Sequence, residues 1–62
     1  MSVINVVIYE PEHQRLVHAN GTVAIPAEVL AQAEDGDVVG LATQFARKLQ
    51  LLDHRETLWV AA

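Results

Sequence analysis

The sequence predicts a small, β-rich α+β domain with about four to five short strands and one or two short helices, its strands paired or its hairpins swapped between subunits. Three observations lead to this class: β-branched runs near both ends, an Asn20-Gly21 dipeptide between two apolar runs, and a proline followed by apolar residues at helical spacing. The 62 residues form one domain, 1–62, because half of this length is too short to enclose its own core.

Residues 3–9 are predicted to form the first strand, because β-branched residues dominate the run. Both of its faces are mostly apolar, so we expect the strand to be covered on two sides or to lie at an interface. Pro11 follows within a polar break and closes the strand, since proline cannot donate a hydrogen bond to a ladder.

A β-hairpin is predicted next, with strands over residues 15–19 and 22–25. Asn20-Gly21 between them is the dipeptide that best supplies the two positive φ angles of a type I′ turn. This turn is the strongest local signal in the chain.

A short helix is predicted to begin at Pro26, whose missing N–H is harmless in the first turn, and Glu28 complements the helix dipole there. We expect the helix to end at Asp35-Gly36, where the glycine can adopt a left-handed conformation. Residues 38–42 are then predicted to form a strand.

The segment 43–52 is open to two interpretations. A helix beginning at Thr43 would align apolar residues at i, i+4 and i+7, whereas a strand would place Arg47 among alternating apolar residues. We favour the helix. A polar turn over residues 53–56 and a closing strand over 57–61 are predicted to follow.

The apolar content predicts self-association. Apolar residues make up 52% of the chain and the mean hydropathy is +0.21, too high for a disordered segment. Burial of apolar surface would supply roughly 90 kcal/mol, and ordering the backbone and side chains would cost about as much. Because this balance is near zero for a monomer, we expect a homo-oligomer.

The residue inventory argues against catalysis. The chain has no cysteine, which excludes disulfides, thiolate metal sites and a cysteine nucleophile. Ser2 is the only serine and has no histidine near it in sequence. The possible metal ligands do not match the spacing of a closed zinc site; they are Glu10, Glu12, His13 and His18. We therefore predict no enzyme activity, no catalytic or metal-binding residues and no cofactor.

The charge distribution favours a protein partner over nucleic acid. The net charge is −4, and six of the eight acidic residues lie within residues 10–37. We predict that Glu34, Asp35 and Asp37 contact a basic protein surface. Only four lysines and arginines are available to neutralise phosphates if the chain binds DNA instead; they are Arg15, Arg47, Lys48 and Arg55.

Trp59 and Phe45 are the sole tryptophan and the sole phenylalanine of the chain. Each can be interpreted as a core residue or as an anchor for a partner, because aromatic residues dominate interface hot spots. We include Trp59 among the predicted partner-binding residues.

Part of the chain resembles a known family. The run from Gly21 to Val29, which contains Ile25-Pro26 and Glu28, followed by Gly36-Asp37, is similar to the core of the AbrB/MazE looped-hinge family. The resemblance covers residues 20–42. It implies a strand that passes through Ile-Pro into a short helix, a Gly-Asp turn that returns to a strand, and two chains that swap hairpins in a DNA-binding β-barrel dimer.

Two functions follow from these patterns. The first is a small acidic, non-catalytic interaction module, such as a phage-type inhibitor of a host or defence complex. The alternative is a swapped-hairpin transcriptional regulator or antitoxin that binds DNA. The early apolar run of residues 3–9 is too short for a membrane span and no basic segment precedes it, so we expect a cytoplasmic protein in a bacterial or phage-infected cell.

Overall fold

The structure, a computed structural model, describes residues 6–61 and contains a mixed sheet with helices on one face. In this range the strands are β1 (Ile8–Glu10), β2 (Arg15–His18), β3 (Gly21–Ala24) and β4 (Trp59–Val60), and the helices are α1 (Ala27–Leu30) and α2 (Val38–Lys48), with a 3₁₀ turn at Glu34–Gly36. The strand order is β3-β2-β1-β4, and β1 is antiparallel to β2 but parallel to β4. The predicted α+β class is confirmed.

The strand register separates the sheet into two faces. Tyr9 lies opposite Leu16, and both side chains are buried, so their row faces the helices. Ile8 lies between Val17 and Trp59 and belongs to the other face, because neighbouring residues in a strand point in opposite directions. We call this second side the outer face.

The core lies between the inner face of the sheet and α2. The helix contributes two fully buried alanines to this core. Phe45 is half-buried and packs against this core. The buried apolar residues are Val7, Tyr9, Leu16, Ile25, Leu30, Ala42, Ala46 and Leu52.

The first predicted strand is confirmed at its C-terminal end. Residues 3–5 lie outside the described part of the chain, and β1 ends at Glu10, directly before Pro11, as predicted. The loop to β2 ends at Gln14, which has a φ of 51° and accepts a 2.9 Å hydrogen bond from the Ile25 N–H. This bond ties the loop to the end of the hairpin.

The hairpin is confirmed, but the predicted turn type is wrong. His18 pairs with Gly21, so the two loop residues are Ala19 and Asn20, and neither has the positive φ that a type I′ turn requires. Instead, His18 Nδ1 accepts the Asn20 N–H at 3.3 Å. Among residues 18–21 only Gly21 has a positive φ, 140°, and it is the first residue of β3.

The helix after Pro26 is confirmed, although α1 ends at Leu30. The chain then passes through the 3₁₀ turn, where Gly36 has the predicted left-handed conformation, with a φ of 74°.

The strand predicted over residues 38–42 is wrong, because this segment forms the first part of α2. Asp37 caps the helix by accepting the Gly40 N–H at 3.0 Å. Leu41 and Ala42 then share one face with Phe45, which is helical spacing. The β-branched pair Val38-Val39 suggests a strand, but capping and periodicity override this local preference.

The helix favoured over residues 43–52 is confirmed over residues 43–48, but its predicted start at Thr43 is wrong, because Thr43 lies inside α2 and donates its hydroxyl to Val39 O at 2.8 Å. Gln50 follows the end of the helix and has a left-handed backbone conformation, with a φ of 63°. The Gln50 N–H donates to Arg47 O at 3.0 Å, and the Leu51 N–H donates to Ala46 O at 2.9 Å. These two bonds are those of a Schellman motif, which ends a helix by satisfying its last carbonyls.

The C-terminal segment follows the prediction in part. The Glu56 N–H donates to Asp53 O at 3.0 Å and closes the predicted polar turn. The predicted closing strand is shorter than expected and consists of Trp59–Val60, at the edge of the sheet beside β1.

Candidate interaction surface

The three acidic residues predicted to contact a partner lie together before α2. Glu34 and Asp35 belong to the 3₁₀ turn, and Asp37 is the N-cap of the helix. The Glu34 carbonyl accepts the Asp37 N–H at 2.9 Å. Asp35 has a φ of 55°, a conformation that aspartate tolerates better than most residues. We call Glu34, Asp35 and Asp37 the acidic segment.

The acidic segment faces solvent. All three residues are exposed, and within residues 6–61 none of their carboxylates lies within ion-pair distance of a basic side chain. Glu10 differs, because its carboxylate forms an ion pair with Arg15 across β1 and β2. The charge of the acidic segment is therefore not neutralised by the described part of the chain.

Two of the four basic side chains are held by internal contacts. Arg15 pairs with Glu10 on the outer face of the sheet. Arg47 Nη2 donates to the Glu56 carbonyl at 3.1 Å, and its Nε is buried without a hydrogen-bond partner among residues 6–61. Sequence reasoning misses this contact, because it joins a helix to a backbone carbonyl nine residues away.

The other two basic residues, Lys48 and Arg55, are exposed. The Arg47–Glu56 contact brings the end of α2 beside the turn that contains Arg55. Arg15 lies on the outer face of the sheet, whereas α2 packs on the inner face. The structure thus gathers three of the predicted nucleic-acid residues at one end of α2 and separates the fourth.

Trp59 is not a core residue. Its side chain is 67% exposed on β4, and the neighbouring Val60 is 50% exposed. The interpretation of Trp59 as core packing is wrong, because β4 is an edge strand and Trp59 points to the outer face.

The described surface includes two shallow cavities of similar size. One, of about 190 Å³, is lined by Glu10 at the end of β1, the loop residues 11–13 and Ala61. The other, of about 250 Å³, lies between α1 and α2 and includes Gln32, Gln44 and Lys48. Within residues 6–61 no three histidine, aspartate or glutamate side chains are placed to hold a metal ion together. Among the described residues, neither cavity is lined by a serine, threonine or cysteine side chain.

No helix in the described range is both long enough and apolar enough to cross a membrane. Comparison of the chain with protein-family models, with curated proteins and with solved structures gives no match.

Proposed function

We propose that this protein is a non-catalytic interaction module that binds a basic surface of another protein through the acidic segment. The observation that carries the proposal is the exposure of three carboxylates within four residues, none of them ion-paired within residues 6–61, one of which caps α2 and so fixes the backbone. An inhibitor of a host or defence complex that acts by covering such a basic surface is one form of this function.

The acidic segment is suited to steering a partner. Exposed like charges attract an oppositely charged surface over about 10 Å at moderate salt and raise the association rate more than the affinity. The 3₁₀ turn and the Asp37 cap restrict the backbone beneath these charges. Less conformational freedom is then lost when a partner binds.

The positions of the basic residues favour a protein partner over DNA. A phosphate contact by Arg15 would compete with Glu10, and one by Arg47 would compete with the Glu56 carbonyl. Only Lys48 and Arg55 are exposed without such a contact in the described range. Two such cationic side chains per chain contribute little electrostatic affinity for a DNA duplex.

The test compares two triple variants in which carboxylates become amides. The acidic variant is Glu34→Gln, Asp35→Asn and Asp37→Asn. Asparagine caps helices about as well as aspartate and tolerates the left-handed conformation of residue 35, so we expect this variant to keep the fold. The control variant changes three other exposed acids by the same net charge: Glu12→Gln, Glu28→Gln and Asp53→Asn.

Each tagged protein is used to capture partners from nuclease-treated extracts of the source cells, and bound proteins are quantified by mass spectrometry. We expect the wild type and the control variant to retain the same basic protein and the acidic variant to lose at least 90% of it. Equal retention by both variants would contradict the proposal.

Fluorescence anisotropy with a random DNA duplex at physiological salt tests the looped-hinge alternative. We expect undetectable binding at micromolar protein. Submicromolar affinity that falls on changing Lys48 and Arg55 to Gln, and that survives the acidic variant, would favour the DNA-binding regulator instead.

A further inference from the structure

We infer that β4 is a self-association edge, at which a second copy of this chain pairs antiparallel and extends the four-stranded sheet across a two-fold axis at Val60. β4 and the acidic segment are different surfaces, and they would bind different partners.

The hydrogen bonds between β1 and β4 determine which groups of β4 are free. Trp59 N–H donates to Val7 O at 2.8 Å, and Ala61 N–H donates to Tyr9 O at 2.9 Å. Because backbone groups alternate in direction along a strand, the N–H and C=O of Val60 point away from β1. Within residues 6–61 they lie at an open edge of the sheet, since β4 is last in the strand order.

This edge is complementary to itself. In an antiparallel pair, two residues directly opposite each other can exchange both of their backbone hydrogen bonds. Val60 opposite Val60 of the second copy would form such a pair, with one donor and one acceptor on each side. Trp59 would then lie opposite Ala61 of the second copy on the outer face, so that a large side chain meets a small one.

The charge pattern favours a second copy over a foreign peptide. Residues 57–61 contain no charged side chain and no proline, which are two of the features that protect edge strands from pairing. The shortness of β4, two residues, is the feature that limits pairing at this edge. Each copy has a net charge of −4, so two copies repel least when they meet along a surface that carries no charge itself. An acidic or basic peptide would find no ion pair on this strand.

The exposed side chains of β4 determine how much surface area the pairing would bury. Trp59 is 67% exposed and Val60 is 50% exposed, and pairing would shield both. The area gained is well below the roughly 800 Å² per partner of a standard stable interface. We therefore expect a weak dimer that forms as the protein concentration rises, with a dissociation constant in the micromolar range.

Sedimentation equilibrium from low micromolar to near-millimolar concentration measures this association. We expect the mass of the wild type to rise from one chain to two, with a parallel blue shift of Trp59 emission and weaker acrylamide quenching. Val60→Pro removes only the outward N–H, so β4 keeps its bonds to β1, yet the protein should stay monomeric. Trp59→Lys should also stay monomeric.

Thr22→Lys is the matched control, because it places the same charge on the outer face at β3, the opposite edge. It should dimerise like the wild type, and so should the acidic triple variant. Far-UV circular dichroism establishes that each variant is folded. A monomeric wild type at all concentrations, or a dimer that survives both folded β4 variants, would overturn the inference. So would a dimer lost only in Thr22→Lys.

Discussion

The carboxylate of Asp37 occupies the space that a side chain on Gly40 would need. Asp37 Oδ1 accepts the Gly40 N–H at 3.0 Å, and a Cβ added at Gly40 would lie only 2.8 Å from the Asp37 Cγ. A residue with poor helix propensity thus lies in the first turn of α2 because the cap requires it.

This relationship predicts non-additive substitutions. Asp37→Ala should cost about 1 kcal/mol through the lost cap. Gly40→Ala should be close to neutral, because a gain of about 1 kcal/mol in helix propensity is offset by displacement of the capping carboxylate. In the Asp37→Ala background, the same Gly40→Ala change should stabilise by about 1 kcal/mol.

Urea denaturation of the four proteins at low micromolar concentration measures this coupling. Asp37→Asn serves as the control and should match the wild type, since asparagine is an equally good cap. Equal effects of Gly40→Ala in both backgrounds would show that the carboxylate and the glycine are independent.

A glycine should stabilise the protein at the end of α2. Gln50 has a φ of 63° at the position of the Schellman motif that glycine prefers. Gln50→Gly should therefore raise the free energy of unfolding by about 0.5–1 kcal/mol. Gln44→Gly, the same change within α2, should lower it by about 1 kcal/mol. Two changes of the same sign would contradict the assigned helix end.

The hairpin should depend on glycine at the start of β3. Gly21 has a φ of 140°, and no heavy atom lies within 4 Å of a Cβ built there, so the cost of a side chain is backbone strain and not a clash. Gly21→Val should destabilise by about 1–3 kcal/mol. Thr22→Val, one residue later, should stay within about 0.5 kcal/mol of the wild type. Thermal melts that coincide for both variants would refute the strained position.

Arg47 should contribute to stability, whereas its neighbour should not. Arg47→Met keeps an apolar stem but removes the bond to the Glu56 carbonyl, so we expect a loss of about 1 kcal/mol or more. Lys48→Met removes the same charge from an exposed side chain and should change stability by less than about 0.5 kcal/mol. Equal losses would assign the effect to charge at the helix end instead of to the hydrogen bond.

Local signals in the sequence predicted much of the fold. Pro11 ended β1 and Pro26 preceded α1, because the constraint that proline imposes is built into the residue itself. Asn20-Gly21 likewise predicts the hairpin from the residues themselves, but the loop lies one residue earlier, at Ala19 and Asn20, where His18 Nδ1 accepts the Asn20 N–H.

The predictions that are wrong concern residues whose structure depends on a contact with a neighbouring residue or element. Val38 and Val39 favour a strand when read alone, but the Asp37 cap starts a helix there. The acidic segment was visible in sequence because exposed charge needs no tertiary contact. The anchoring of Arg47 and the exposure of Trp59 depend on which elements become neighbours, and no local pattern encodes that.

The parallel pairing of β1 with β4 also has a dynamic consequence. β4 is only two residues long and lies at the edge of the described sheet, so few backbone hydrogen bonds hold it against β1. Such an edge opens more easily than the antiparallel hairpin formed by β2 and β3. In amide hydrogen exchange, Trp59 and Ala61 should therefore exchange faster, through local opening of β4. The Leu16 amide should exchange only when the whole domain unfolds.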